Sequence, residues 1–346
     1  MTRFTHTLAA FALTLIATGC ASTHRLAERT HLSQHPIYEM RMSNKPTEGY
    51  VPTGVWRIRG ALNTVYLVGT CHLVAEEEIP FPSSFYAAYQ DSKDIYVEYD
   101  GLSLSGQWMV LRAVPGMVRW VMAHQSELNY PKGQTLTNHL SAETVLRLRT
   151  FYGQDFAGKE SMTPLALVFW NEFLSLSGED VAGVDDLFTL LAHRDDKRIR
   201  SLDDAKVTEL INPTLDAILA AYRRKIAERG ADAVVKEEIL DHQEEVTDWR
   251  HGDVSAAEKE VAEMRKDAPE LYQKLLPDRN RRWLPAITQA LHGKRNAMVL
   301  VGAMHLAGKD GLLQLLRDAG FKAEQMYGID RPKMGESLQP PSRRAH

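Results

Sequence analysis

Two stretches, LVGTCHL at Leu67–Leu73 and LVGAMHL at Leu300–Leu306, each place a histidine three residues after a glycine at the end of an apolar run. Imidazole nitrogen joined to carboxylate oxygen is the ligand set of catalytic zinc, manganese and cobalt sites. Such a site keeps a position open for water, lowers that water's pKa and steadies the oxyanion formed when it attacks a carbonyl. His72, His305 and Glu98 would supply three ligands, with Asp185 or Asp203 as a fourth ligand or as general base. Arg279 would clamp a substrate carboxylate or the developing oxyanion. No H-E-x-x-H is present, which excludes the helix-borne zinc peptidases, and no G-x-S-x-G elbow marks a serine hydrolase. Cys71 offers a thiol nucleophile instead. Neighbours in an extended segment point apart, so its base would be His305 rather than His72. The competing role for each G-x-x-H is turn chemistry or core packing, and for Asp185 it is helix capping. Duplication of the motif in one strand–turn setting favours a shared site.

Positioning these groups calls for an α/β (α+β mixed) fold, a β-sheet carrying the two G-x-x-H strand–turn units with a large helical insertion between them. Val65–Val68 and Met298–Val301 read as buried strands, and ligands in open α/β sheets collect outside the carboxyl ends of such strands. Gly69 and Gly302 would relieve the steric limits on the turns that follow. VWRIRG and VYLVG, joined across Ala61–Thr64, read as a hairpin. A helix over Phe85–Ser92 and a strand over Ile95–Val97 deliver Glu98, expected on the strand beside that of His72. Trp108–Leu191 is helical in pattern, with Asp185 before an apolar helix at Leu187–Ala192, and Lys197–Leu202 is a short strand ending in Asp203. The charged run Val207–Leu276 makes solvated helix faces, with His242 and His251 on the surface. Arg279 then opens a helix with Trp283, Ile287 and Leu291 on one side. A helix over Gly311–Ala319 and a strand near Met326 complete the body.

The N-terminus reads as a targeting segment. The apolar run Leu8–Ala17 is shorter than the roughly 20 residues a membrane span needs, so a secretory signal over 1–19 is expected. Ala17-Thr18-Gly19 before Cys20 is similar to the bacterial lipoprotein signal, which makes Cys20 the lipidated first residue of the mature chain. Ala21, rather than Asp, argues against retention at the inner membrane. Residues 20–50 read as a flexible tether, 51–332 as the folded body with its helical insertion at about 104–276, and 333–346 as a disordered tail. Only two cysteines are present, so lipidation of Cys20 leaves Cys71 without a disulfide partner. The formal net charge of −4 gives no basic footprint, and nucleic acid is not an expected partner.

YLVGTCHL, IYVEYD, GVDDLF, DRN-R-RW and VLVGAMHLAGKDGLLQLLRDAGF together resemble the TraB/GumN family, from about Tyr66 to Phe321. That family is grouped with the animal Tiki proteases, the erythromycin esterases and ChaN-like haem-binding proteins. The resemblance puts His72, His305, Glu98 and Arg279 on the family's motif positions, and the Tiki members are described as manganese- or cobalt-dependent proteases. Cys71 stands where Ile is usual, and Asp203 where the family generally has Glu. Taken with the N-terminal signal and the His/carboxylate ligand set, the resemblance leads to the expectation of a membrane-tethered, metal-dependent hydrolase, a peptidase acting on a peptide or protein substrate with a manganese, cobalt or zinc ion. It would be lipid-anchored in the bacterial cell envelope, at the outer membrane facing the periplasm. The alternatives are a haem- or metal-binding lipoprotein without catalysis and a regulatory scaffold.

Overall fold

The computed structural model describes residues 40–71, 80–175, 183–240 and 249–330. Among them seven strands form one mixed sheet: β1 (Met42–Ser43), β2 (Val51–Arg59), β3 (Thr64–Thr70), β4 (Asp94–Val97), β5 (Arg198–Ser201), β6 (Ala297–Gly302) and β7 (Ala323–Gly328). The order across the sheet is β1-β7-β2-β3-β6-β4-β5. The expected hairpin is β2–β3, closed at Arg59↔Thr64. β3, β6, β4 and β5 are mutually parallel, so their carboxyl ends lie along one side, while β2, β7 and β1 pair antiparallel.

The helices that matter below are α1 (Ser83–Asp91), α2 (Leu104–Ala123), α3 (Ala142–Tyr152), α4 (Pro164–Ser175), α5 (Val184–Arg194), α6 (Ile211–Arg229), α7 (Ser255–Asp267), α8 (Pro269–Leu275), α9 (Pro277–Leu291) and α10 (Leu312–Asp318). Strand side chains alternate between two faces. Tyr66, Val68, Ile95, Val97, Met298 and Leu300 meet α1 and α5 through Phe85, Tyr86, Val184 and Phe188. Val65, Leu67, Tyr96, Val299 and Val301 meet α9 and α10 through Trp283, Ile287, Leu291, Leu312 and Leu316. Central parallel strands covered on both faces have to be apolar throughout, which is why β6 reads AMVLVG with every residue buried. In α9 the buried Trp283, Ile287 and Leu291 fall at i, i+4 and i+8, the spacing that fastens one helix face to the sheet.

The helical insertion has apolar cores of its own. Leu148 and Phe156 join Leu167, Tyr222 and Val235, while Trp120, Phe169, Leu215 and Leu219 form a second cluster. Midway the chain returns to the sheet to add α5 and β5, because α5 carries a continuous apolar face of Val184, Leu187, Phe188 and Leu191.

Three positions differ from the sequence-based picture. Met42–Ser43, in the stretch read as tether, pairs with the open edge of β7, a backbone contact that needs no side-chain pattern. Glu98 does not stand beside the strand of His72: β4 pairs with β6 and β5, and β6 separates β4 from β3. The glycines also act differently. Gly69 lies inside β3, where a Cβ would meet Leu306 Cδ1 at 2.9 Å, and Gly302 ends β6 at φ −51°. Neither uses left-handed backbone; at Gly69 the glycine permits close packing.

Candidate active site

Arg279 is the hub of the carboxyl edge. It projects from the first turn of α9, where Pro277 starts the helix without costing a hydrogen bond. Its guanidinium is buried, and every N–H has an acceptor. Nη2 donates to Glu98 Oε2 at 2.5 Å and to Asp203 Oδ2 at 2.6 Å, and Nε donates to Asp203 Oδ2 at 3.1 Å. Nη1 approaches His305 Nε2 at 3.1 Å and the Leu275 carbonyl at 3.4 Å. The ring of Trp283 lies 4.6 Å from the guanidinium carbon. Burial pulls the Arg279 pKa down, but the Glu98 charge and the Asp203 hydrogen bond outweigh it and hold the pKa above its usual value. The arginine is therefore permanently charged.

Strand ends place the two carboxylates. Glu98 directly follows β4, and its Oε1 accepts from the Gly302 amide at the end of β6 at 2.7 Å. Asp203 continues the β5 ladder, its amide donating to the Glu98 carbonyl at 3.0 Å, and its Oδ1 accepts from Trp283 Nε1 at 2.9 Å. Asp203 is thus fully used as the counter-ion of Arg279, which is a different part from fourth ligand or general base.

His305 sits in a 3-10 turn just past β6, buried against Trp283 with ring centroids 4.4 Å apart. Asn280, next to Arg279 on α9, sets its tautomer. The Asn280 amide nitrogen donates to the carbonyls of His305 (3.2 Å) and Asp310 (2.9 Å), so its oxygen is the atom facing His305 Nδ1 at 2.7 Å. An amide oxygen only accepts. Nδ1 of the neutral ring must carry the proton, leaving a lone pair on Nε2. Asn280→Leu removes that constraint; a tenfold to hundredfold loss of metal affinity or activity is the usual scale for such an outer partner, roughly. Nitrogen-15 spectra of His305 showing a mixed tautomer in the variant and a single one in the parent would check the cause.

The donor set can be tested against a divalent cation. His305 Nε2 and Glu98 Oε1 face each other at 3.7 Å. Two donors each about 2.1 Å from one ion stand roughly 3.4–3.6 Å apart, so this pair fits one half of a cation site. With both carboxylates ionised, Glu98, Asp203 and Arg279 leave one excess negative charge in a buried place, which favours a cation. Among the described residues no three His, Cys, Asp or Glu side chains converge as a complete cage. His72, the third expected ligand, lies outside the described residues, as do Cys20 and His242.

The remaining expected groups enter from the opposite layer. Val184 N, at the start of α5, donates to the Cys71 carbonyl at 3.0 Å, which brings the first turn of α5 and its Asp185 to the end of β3. Asp186, not Asp185, closes the helix N-terminus, accepting from the Gly183 amide at 3.3 Å. Cys71 packs against the α1–α5 cluster, whereas His305 lies against Trp283 on the α9 side, so these two are poorly placed as nucleophile and base. His251 is a half-exposed partner of Asp330 at 2.8 Å. The two G-x-x-H motifs lie on adjacent parallel strands but one residue out of step, since Thr70 pairs with Gly302 and Gly69 with Val301.

Sequence reading missed Asn280, Trp283 and the Gly302 amide as parts of the site. The signal for the first two was available in DRN-R-RW: Arg279, Asn280 and Trp283 at i, i+1 and i+4 share one side of a helix start. The Gly302 amide carries no side-chain signature. No curated protein and no solved structure matches the chain. The sequence model of the TraB/PrgY/gumN family matches residues 54–325, which takes in most of β2, all of β3 to β6, the Arg279 hub and His305. The chain belongs to the TraB/PrgY/gumN family.

Proposed function

We propose that this chain is a metal-dependent hydrolase, a peptidase working outside the cytoplasm. The observation that carries the reading is His305 Nε2, left unprotonated by Asn280, which faces Glu98 Oε1 at 3.7 Å and accepts from Arg279 Nη1 at 3.1 Å; a bound ion would take that lone pair in place of the arginine N–H. His305, Glu98 and His72 would hold the ion, whose Lewis acidity makes water a stronger acid and polarises an acyl carbonyl. The chain's own part is arrangement. Arg279 locks Glu98 and is itself locked by Asp203, which keeps the carboxylate in one orientation. Among the described residues Nη1 is the one Arg279 nitrogen without a carboxylate partner, and an ion taken up at His305 Nε2 would free one of its N–H groups to turn toward a substrate oxygen. Asp185, on the first turn of α5 near the end of β3, would exchange a proton from the other layer. Glycine at 69 and the apolar wall of Trp56, Trp283 and Leu306 keep the strand ends dry beneath.

The decisive measurement is the metal content and absorption spectrum of purified protein, followed by hydrolysis of a casein or peptide mixture. About one equivalent of manganese, cobalt or zinc is expected, with activity lost to a chelator and restored by that metal. A Soret band without hydrolysis would establish the haem-binding alternative, and neither metal nor haem would leave the scaffold reading. For the anchor, Cys20→Ser should make the protein extractable from membranes by a high-salt wash, whereas the parent requires detergent. An unmodified Cys20 thiol in the mass spectrum of the membrane-extracted parent would rule out lipidation at Cys20.

A further inference from the structure

The helix α2 is apolar on two sides. Trp120 and Val121 are buried in the insertion core. On the other side Leu104, Trp108, Leu111 and Met122 are 79%, 66%, 42% and 51% exposed, with Pro115 exposed between them. Together with half-buried Val118 these positions run at spacings of 4, 3, 4, 3 and 4 residues, a single stripe along a helix of 20 residues. At 1.5 Å per residue the stripe is about 27 Å long. A surface helix ordinarily keeps its outer face polar, so this stripe, unpartnered among the described residues, is apolar area of the kind that marks an interaction surface. No described helix is long and apolar enough to span a membrane.

Charge decides what covers it. The helix LSGQWMVLRAVPGMVRWVMA contains two basic residues, Arg112 and Arg119, and no acidic one. Both arginines are exposed on the flank of the stripe, and among the described residues neither forms an ion pair. A second copy of the chain pairing through this stripe would set arginine against arginine with no carboxylate on the helix to offset it. An anionic bilayer has the complementary properties: acyl chains for Leu104, Leu111 and Met122, an interface for the Trp108 ring, and phosphate for the two guanidinium groups. We infer that α2 is an in-plane membrane helix that seats the protein on an anionic phospholipid surface. Leu104 follows Glu98 by only six positions, so the candidate site would open beside the bilayer.

The test is co-sedimentation of the full chain carrying Cys20→Ser, so that no lipid anchor contributes, with vesicles of phosphatidylcholine alone or with about one third phosphatidylglycerol. Binding to the anionic vesicles is expected, weakened by added salt and reduced about tenfold or more by Trp108→Ser with Leu111→Ser. Arg112→Gln with Arg119→Gln should erase the preference for phosphatidylglycerol. Both pairs lie on an exposed face, and unchanged melting would show that the fold persists. Absence of vesicle binding, or binding that the Trp108/Leu111 variant retains in full, would overturn the inference. So would a dimer of the parent that these same substitutions dissociate, since the stripe would then belong to a second copy.

Discussion

Arg279→Met should destabilise the fold by about 3–5 kcal/mol, the usual cost of removing one partner from a buried ion pair. The reason is the geometry of the hub: Glu98 and Asp203 side chains are only 12% and 2% exposed, and both lean on one guanidinium at 2.5 and 2.6 Å. Methionine fills the space of the arginine stem but leaves two carboxylates buried against each other. In the parent the sign of linkage is simple. The Arg279 pKa is raised in the folded state, so its contribution is fully present below the unfolded value and fades only in strongly alkaline solution. The variant should behave differently at acid pH. Its uncompensated carboxylates are relieved by taking up a proton, so the folded state binds more protons than the unfolded chain, and the deficit shrinks as pH falls. Asp203→Asn in the Met background should recover part of the loss, because the two changes share one interaction. Urea unfolding across pH 5–8 reads all of this. A deficit below about 1 kcal/mol, typical of exposed pairs, would show that the hub is solvated.

The strands, and the helices that cover them, were legible in the sequence because burial on one or two faces writes a period into it. The apolar runs of AMVLVG and TVYLVG read as buried strands, and Trp283, Ile287 and Leu291 as one helix face. Strand order was not legible. Nothing in IYVEYD says that its strand pairs with β6 rather than β3, since both neighbours are parallel and apolar. That single fact sets Glu98 beside the strand that leads to His305, with Oε1 3.7 Å from its Nε2. Within the site, residue types gave the chemistry but not the partners. Arg279 reads as a substrate clamp in sequence because its neighbours in space, Asp203 and Glu98, come from strands 76 and 181 positions away. Asp203 then follows as counter-ion rather than ligand. Asn280 was hidden for a related reason, since asparagine at a helix start is ordinarily a cap and only the turn after β6 gives its amide another use.

His72→Gln and His305→Gln should each abolish metal binding and hydrolysis, and the double variant should be scarcely worse than either single. Residues that complete one site act as a unit, so their losses do not multiply. Glutamine is preferred to alanine because His305 is buried against Trp283 and fastened to Asn280; alanine there would open a cavity and confound the result. The amide of glutamine keeps most of the volume and a polar end, yet it is a poor ligand. Cooperative melting should therefore survive while bound metal is lost, which separates this test from Arg279→Met, where stability falls first. Two partial losses that multiply in the double variant would show that the imidazoles serve separate sites. The one-residue offset between the strands gives that outcome physical substance: Thr70, not Gly69, stands opposite Gly302, so the two glycines of the motifs are not in register. His72→Gln measured beside His305→Gln reports whether the two motifs, despite that offset, serve one ion.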